Sequence, residues 1–513
     1  METVHGQYTQ KNLVNAGSTQ TRVPARLDLQ NACKKVLCVT PTCFVSGIDK
    51  AENEVKVRGK IVTRVLFIDE FDGYNSEERS DEFTEKFSPK NFENLECFAA
   101  NAVIVATGEA KTTRNEADLI NAISTEHTVN VGLTALEQRA VEYIESLSGD
   151  VETLANTRKI STWGNGVNER FDIGESFVLE PNAEGVMGVD LGACVRDIDC
   201  NDDKIVVKGT AFVTISTVKG SEAGQVALNA VHDFDFTKTF NAKGIKKDDI
   251  MHGGLSVVDQ SFKIENKGKP ELALEATLAF TGYAVTTREV KAVEDAFTCT
   301  HALEFGFGNT SHIVAAAQHN AMIDVEGNVT MPEQSPFIAR VHWARTPIVQ
   351  SVNTKVADGR VTIDGVMTVP VIYECEDKQI HAHTAAVPFS TTVKADCVPS
   401  SNIAATVTPL SCSVKARRGK ELLIDAKFGV NVGASTIERG KIVSSCNLGA
   451  EKPADKSPIA IHVVGSGEKL FDFAKRVCVP SREIVRQNPW CENEIHDGDR
   501  VVLYRQNRSI IGM

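Results

Sequence analysis

The sequence predicts a mainly β protein: three tandem antiparallel β-rich units followed by a small βααβ domain. Three observations carry that expectation. One period-2 strand pattern occurs three times, a Phe-Thr or Phe-Ser landmark follows each copy at a steady distance, and the character of the chain changes after Leu448.

The strand pattern runs from Glu54 to Phe67, from Lys204 to Ser216 and from Arg360 to Tyr373. Its central glycines, Gly59, Gly209 and Gly365, recur at intervals of roughly 150 residues, the spacing of a triplicated unit. The landmarks that follow begin at Phe83, Phe236 and Phe389, and a strand-like run before each copy ends at Pro24, Pro181 and Pro332. These place three units at 5–160, 161–306 and 307–448. In the third, Val361, Ile363, Met367, Val369 and Val371 share one face, while Thr362, Asp364, Thr368 and Pro370 share the other. That is the pattern of a half-buried antiparallel strand. Glycine packs poorly in a strand, so its recurrence there predicts a bulge or a close backbone approach.

Further alternation marks strands from Glu271 to Thr287, at Ser413–Ala416, and from Glu421 to Val432. Arg417-Arg418-Gly419-Lys420 between the last two reads as a hairpin turn with a solvated basic tip. Leu136 to Ile144 has helical composition and is expected to be a helix at the end of the first unit.

Residues 449–458, with two prolines, form a polar linker, and 459–505 form a unit of different design. Ile459 to Val464 is a strand and Gly465 to Glu468 a turn. A helix follows in which Leu470, Phe473 and Ala474 fall at i, i+3 and i+4. Pro480-Ser481 opens a second helix with Ser481 as its N-cap, Asn488-Pro489-Trp490 ends it, and Val501 to Leu503 closes the unit as a strand after Gly498.

Composition narrows the function. The 513 residues are 42% hydrophobic and 24% charged, as in globular proteins, and the net charge of −13 argues against a general binder of nucleic acid or anionic membranes. No run approaches the ~18 apolar residues of a membrane span. The opening METVHGQYTQKNL has no cationic-apolar leader pattern, and thirteen cysteines without a Cys-x-x-Cys pair fit reduced thiols; the expectation is a cytoplasmic chain.

The terminal unit resembles a LysM domain at Gly467, Leu470, Ala474, Ser481, Ile484, Asn488, Ile495, Gly498 and Leu503. Glu468 stands where that family usually has Asp, and Lys469 where it has a capping hydroxyl. Both changes fall in a loop with which LysM modules hold N-acetylglucosamine polymers, which disfavours glycan as the ligand. The triplicated unit resembles the SPOCS domain family of spore-forming Firmicutes, through the three glycine strands, the Phe-Thr/Ser segments, and closing runs such as Val293 to Phe297. The family's Pro-Phe-Ser is whole only at Pro388-Phe389-Ser390; Glu82 and Asp235 precede the earlier phenylalanines. SPOCS repeats followed by a LysM unit are the arrangement of clostridial spore-coat morphogenetic proteins that interact with the coat ATPase.

Catalytic chemistry lacks its signatures. No phosphate loop, dinucleotide fingerprint or nucleophile elbow is present. His381-Ala-His383 has no third metal ligand evident in the sequence, and the span from His301 to His312 reads as a strand end and loop. Cys33, Cys38 and Cys43 lack the second pair that a zinc site needs and read as small buried thiols. Asp248-Asp249 and Asp69-Glu70-Phe71-Asp72 read as solvated acidic loops. No cofactor or metal is expected.

The expected role is therefore a non-enzymatic structural and docking protein of spore-coat assembly, an extended scaffold whose terminal unit recruits a protein partner at the forespore surface, in the mother-cell cytoplasm. Gly467, Glu468, Lys469, Leu470, Phe471, Asn488, Pro489, Trp490 and Ile495 are the expected contact residues. Phe471 and Trp490 are expected to be exposed, and Lys469, Lys475, Arg476, Arg482, Arg486 and Arg500 to face an acidic partner. The resemblance implies the coat ATPase or other coat proteins as partners, and homo-oligomers are compatible with it. The competing reading is a peptidoglycan-binding protein acting through the LysM-like unit.

Overall fold

The alternation from Arg360 to Val369 is realised residue by residue: Val361, Ile363, Gly365, Met367 and Val369 are buried, and the residues between Val361 and Val369 are half-exposed. Past Val369 the pattern becomes continuously apolar, and Pro370 to Tyr373 is buried on both faces. Thr63 to Phe67 and Thr210 to Thr217 do the same. Strands that are one-sided at one end and two-sided at the other need a cover on both faces, and this requirement shapes the molecule.

The computed structural model describes residues 1–180, 183–221, 224–266, 269–453, 457, 459–492 and 494–504. Pro181 and residues 454–456 and 458 of the expected linker lie outside the described residues. The strands along the first stretch are β1 (Glu2–Lys50), β2 (Val55–Asp69), β3 (Tyr74–Phe87), β4 (Leu95–Thr107), β5 (Lys111–Arg114) and β6 (Ile120–Ser148). The second stretch holds β7 (Glu152–Val178), β8 (Ala183–Asn201), β9 (Lys204–Ser221), β10 (Gly224–Asn241), β11 (Ile250–Asn266) and β12 (Pro270–Phe297). The third holds β13 (His301–Thr330), β14 (Ile338–Ala344), β15 (Ile348–Ala357), β16 (Arg360–Cys375), β17 (Ile380–Lys394), β18 (Asn402–Arg417) and β19 (Glu421–Glu451). The terminal unit is β20 (Ile459–Val463), α1 (Leu470–Val477), α2 (Ser481–Gln487) and β21 (Arg500–Tyr504). Among the described residues no helix is long and apolar enough to cross a membrane.

One antiparallel pairing plan serves all three stretches. The last long strand pairs with the start of the stretch and with at least one other strand: β6 with β1, β4 and β5, β12 with β7 and β11, β19 with β13 and β18. The glycine strand pairs with its own hairpin partner and with the strand before it: β2 with β3 and β1, β9 with β10 and β8, β16 with β17 and β15, and β16 pairs with β14 as well. Gly59 lies opposite Phe83, Gly209 opposite Phe236 and Gly365 opposite Phe389. A Cβ at Gly365 would come within 2.6 Å of both the Phe389 ring and the Ser351 carbonyl oxygen; at Gly59 the Phe44 carbonyl would be 2.7 Å away, and at Gly209 the Cys194 carbonyl 2.8 Å away. The glycines are there for a close approach, and the irregularity falls on the neighbouring strand, at Val45/Gly47, Val195/Asp197 and Val349/Ser351.

The expected extended scaffold is closed instead. One buried cluster joins Leu37 and Leu66 to Met187, Val218, Trp343 and Ile372, and another joins Ile144, Leu147, Val293, Ala296, Val443 and Cys446. Each draws residues from all three stretches. The two-sided apolar ends of the glycine strands find their second cover here, since Leu66 and Ile372 point away from their own sheet's core. The Trp343 indole N–H donates to Ser216 Oγ at 2.8 Å, and Tyr8 Oη meets Thr310 Oγ1 at 2.5 Å.

Three local expectations are corrected. His301 to His312, expected as a strand end and loop, lies within β13 and pairs with β19 from Glu451 to Glu438. Leu136 to Ile144 is part of β6, paired with β1 from Leu13 to His5, and buries Val141 and Tyr143 in strand alternation. Cross-strand burial outweighs the helix propensity of Leu, Glu, Gln and Ala. Ser481 is the first helical residue of α2, not its cap; Pro480 holds the cap position, and the Ser481 N–H is taken by Glu152 Oε2 at 2.7 Å. The turn at Arg418–Lys420 joins β18 to β19 as expected, with Gly419 at φ +76°. The thirteen cysteines are all free thiols, and burial pushes Cys38 and Cys43 up to about 12.

Candidate docking surface

In the terminal unit β20 and β21 pair antiparallel, and α1 and α2 cover one face of the ribbon with Phe473, Ala474, Val477 and Ile484 over Val501 and Leu503. The period of a strand then decides what the other face shows. Ile459, Ile461 and Val463 point away from the helices at 58%, 65% and 52% exposure, and Tyr504, opposite Ile459, is 57% exposed. Among the described residues the two-stranded ribbon thus carries an uncovered apolar strip, a feature that marks interaction surfaces when side chains of this size lie together.

The expected contact residues divide. Gly467 (φ +70°), Lys469, Pro489 and Trp490 are exposed, the last at 45%. The other five serve the fold. Glu468 accepts the Gly465 N–H at 2.8 Å and two hydrogen bonds from Arg476, at 2.7 and 2.8 Å, closing the 465–468 turn onto α1. The Arg476 hydrogen bonds hold its carboxyl below the usual range. Asn488 is buried and clamps β21: its amide donates to the Val502 carbonyl at 2.8 Å and its oxygen accepts the Val502 N–H at 3.2 Å. Leu470 and Ile495 pack half-buried on the core. Phe471, expected at the surface, stands edge-on to Phe297 of β12 with ring centroids 5.4 Å apart.

The unit is therefore docked on the end of β12. Phe297 belongs to its core, and Lys475 pairs with Asp295 at 2.6 Å. Much of the expected basic face is spent internally, since Arg476 pairs with Glu468 and Arg486 with Glu483.

Sequence reasoning also missed a charged junction of the three stretches. Asp190 of β8 accepts hydrogen bonds from Arg64 Nη1 of β2 at 3.0 Å and from Arg345 Nε, between β14 and β15, at 3.3 Å. Arg64 donates further to Glu78 and to the Val189 carbonyl, and Arg345 to the Pro41 carbonyl and Thr42 Oγ1. Burial pushes the Asp190 carboxyl up, but the Arg345 and Arg64 guanidiniums outweigh it and hold it below the usual carboxylate range. The node lines a cavity of about 360 Å³ between the stretches, walled by Pro41, Ala102, Leu191, Val257, Ile348 and Val407. Its two charged wall residues are bound to each other. No local motif announces such a node, because its members are 126 and 155 residues apart.

Residues 338–416 match the family model described as SipL, SPOCS domain. The match supports a SPOCS domain over that stretch and suggests a sporulation-related protein. It spans β14 to β18, the stretch that holds Gly365 opposite Phe389 and the one whole Pro-Phe-Ser. No curated protein and no solved structure matches the chain.

Proposed function

We propose that the chain is a non-enzymatic structural and docking protein of spore-coat assembly, in which three SPOCS-like units form a closed platform and the terminal LysM-like unit recruits a protein partner at the forespore surface. The observation that carries this reading is the exposed apolar strip of Ile459, Ile461, Val463 and Tyr504 on a unit otherwise anchored to the platform. A protein partner fits such a strip better than a glycan does, because the strip offers apolar area and few hydrogen-bonding side chains. The coat morphogenetic ATPase and other coat proteins are the partners implied by the order of parts, and the mother-cell cytoplasm is the compartment in which they would meet.

Peptidoglycan is the competing ligand, since Gly467 and Trp490 lie exposed in the loops where LysM modules hold sugar. One experiment separates the two. The full chain and an Ile461→Asp, Val463→Asp variant are used as baits in extracts of sporulating cells and are sedimented with purified sacculi. Capture of coat proteins by the full chain and its loss in the variant, without sedimentation of either, supports protein docking. Sedimentation with sacculi that Trp490→Ala abolishes, with coat proteins absent from both baits, makes the unit a glycan anchor.

A further inference from the structure

The hairpin joining β16 to β17 brings together three potential metal-ligating side chains away from the docking surface. Cys375 is the last residue of β16, Asp377 lies in the turn, and His381 is the second residue of β17. Tyr373 and His381 are directly paired across the ladder, and Cys375 lies two residues beyond Tyr373, so all three share one face of the sheet. Cys375 and His381 are diagonal neighbours on that face. The turn residue Asp377 folds over them, and the ligand atoms of Cys375, Asp377 and His381 all lie within 4.8 Å of one another.

A second, independent observation points at the same place. His381 Nε2 is inaccessible to solvent and has no hydrogen-bond partner among the described residues. A buried ring nitrogen left without a partner is destabilising, so its position calls for a bond. The ring is held by stacking on Tyr373, with centroids 5.8 Å apart and planes 22° from parallel. Cys375 is buried, and its Sγ has only a weak contact at 3.9 Å, to the Pro336 carbonyl. One Asp377 oxygen accepts the Gln379 N–H at 2.9 Å, and the carboxylate is otherwise exposed.

We propose that Cys375, Asp377 and His381 form a three-ligand site for a borderline-soft divalent cation, with Zn²⁺ as its type. The donor set is one sulfur, one imidazole nitrogen and one carboxylate oxygen, the set that selects zinc over magnesium or calcium. Donors around one tetrahedral zinc stand about 3–4 Å apart, so the three close by about 1 Å on binding, and the exposed Asp377 in the turn is the one free to move. Thiols bind zinc as thiolates, so coordination expels the Cys375 proton and affinity rises with pH. Three protein ligands leave the fourth position to water or to a donor from a partner. His383, two residues along β17 and opposite Val371, is outside the group.

The test uses the full chain, reduced and freed of metal, titrated with Co²⁺ as a coloured stand-in and then with Zn²⁺. One equivalent of Co²⁺ gives a thiolate-to-metal charge-transfer band that one equivalent of Zn²⁺ removes. Cys375→Ser abolishes the band, and His381→Gln weakens binding by at least about tenfold, since loss of a direct ligand costs no less than loss of a supporting one. His383→Ala leaves the titration unchanged. If Cys375→Ser fails to fold, His381→Gln and Asp377→Asn decide the matter. The absence of a band in the parent chain, or a titration that both of those substitutions leave unchanged, overturns the site and assigns any binding to another of the thirteen cysteines.

Discussion

Asp190 and Arg345 are 155 residues apart in the chain, and their side chains meet at 3.3 Å in the interior. With Arg64 on the other side of the same carboxylate, they tie three separate stretches of β-structure at one point. The closed platform depends on this node as well as on its apolar clusters.

Asp190→Ala is expected to destabilise the platform by about 3–5 kcal/mol, because it leaves two guanidiniums buried without their shared partner. The effect has a pH signature. The folded-state pKa of Asp190 is lowered, so its contribution is complete above the unfolded value of 3.8 and is lost as pH falls through the folded value. Urea unfolding at neutral pH should show the full difference between parent and variant, and unfolding below about pH 4 a smaller one.

His252 shows its effect in a different pH window. It is buried, edge-on to Trp163 at 5.1 Å, and burial lowers its pKa from 6.5 to about 4. The unfolded chain therefore takes up this proton first. Stability is complete above pH 6.5 and falls by about 1.4 kcal/mol per pH unit between there and pH 4. His252→Gln should flatten that slope in thermal scans, and the His252 ring signals should not titrate above about pH 5 in NMR spectra.

Gly365→Ala should cost about 1–3 kcal/mol, because the new methyl meets both the Phe389 ring and the Ser351 carbonyl, and the carbonyl cannot move without the ladder. Gly254→Ala, where a Cβ has nothing within 4 Å, is the control and should be close to neutral or stabilising. Thermal denaturation of the two variants separates crowding from the general effect of adding a methyl group.

The strands were legible because alternation is a local property. Val361, Ile363 and Met367 announce their inner face by their spacing, and Phe473 and Ala474 do so for α1. The docking surface was legible only in part. Ile459 to Val463 reads as a strand, yet the expected contacts were placed in the flanking loops, and the outward phase of Ile459, Ile461 and Val463 carries the apolar strip. Glu468 and Asn488 look like surface polar residues in sequence; their partners, Arg476 and Val502, show that they hold the unit together. The pair His381 and His383 drew the metal question to the wrong neighbours, because the hairpin puts Cys375 diagonally across from His381, a relation that only register reveals.

What the sequence determined by itself is the alternating strands it named, the three glycine strands with a phenylalanine downstream of each, and the two short helices near the end. The strands and helices follow from spacings of two to four residues, within which neighbouring side chains either share a face or do not, and the glycine strands from their recurrence along the chain. What only the tertiary structure decided is which surfaces those elements turn to one another. Leu136 to Ile144 became a strand because β1 was there to pair with it. Phe471 became half-buried because Phe297 was beside it. The three stretches closed up, rather than extending, because Asp190 can meet both Arg64 and Arg345 only where all three stretches come together, and because apolar strand ends such as Leu66 and Ile372 had no other cover.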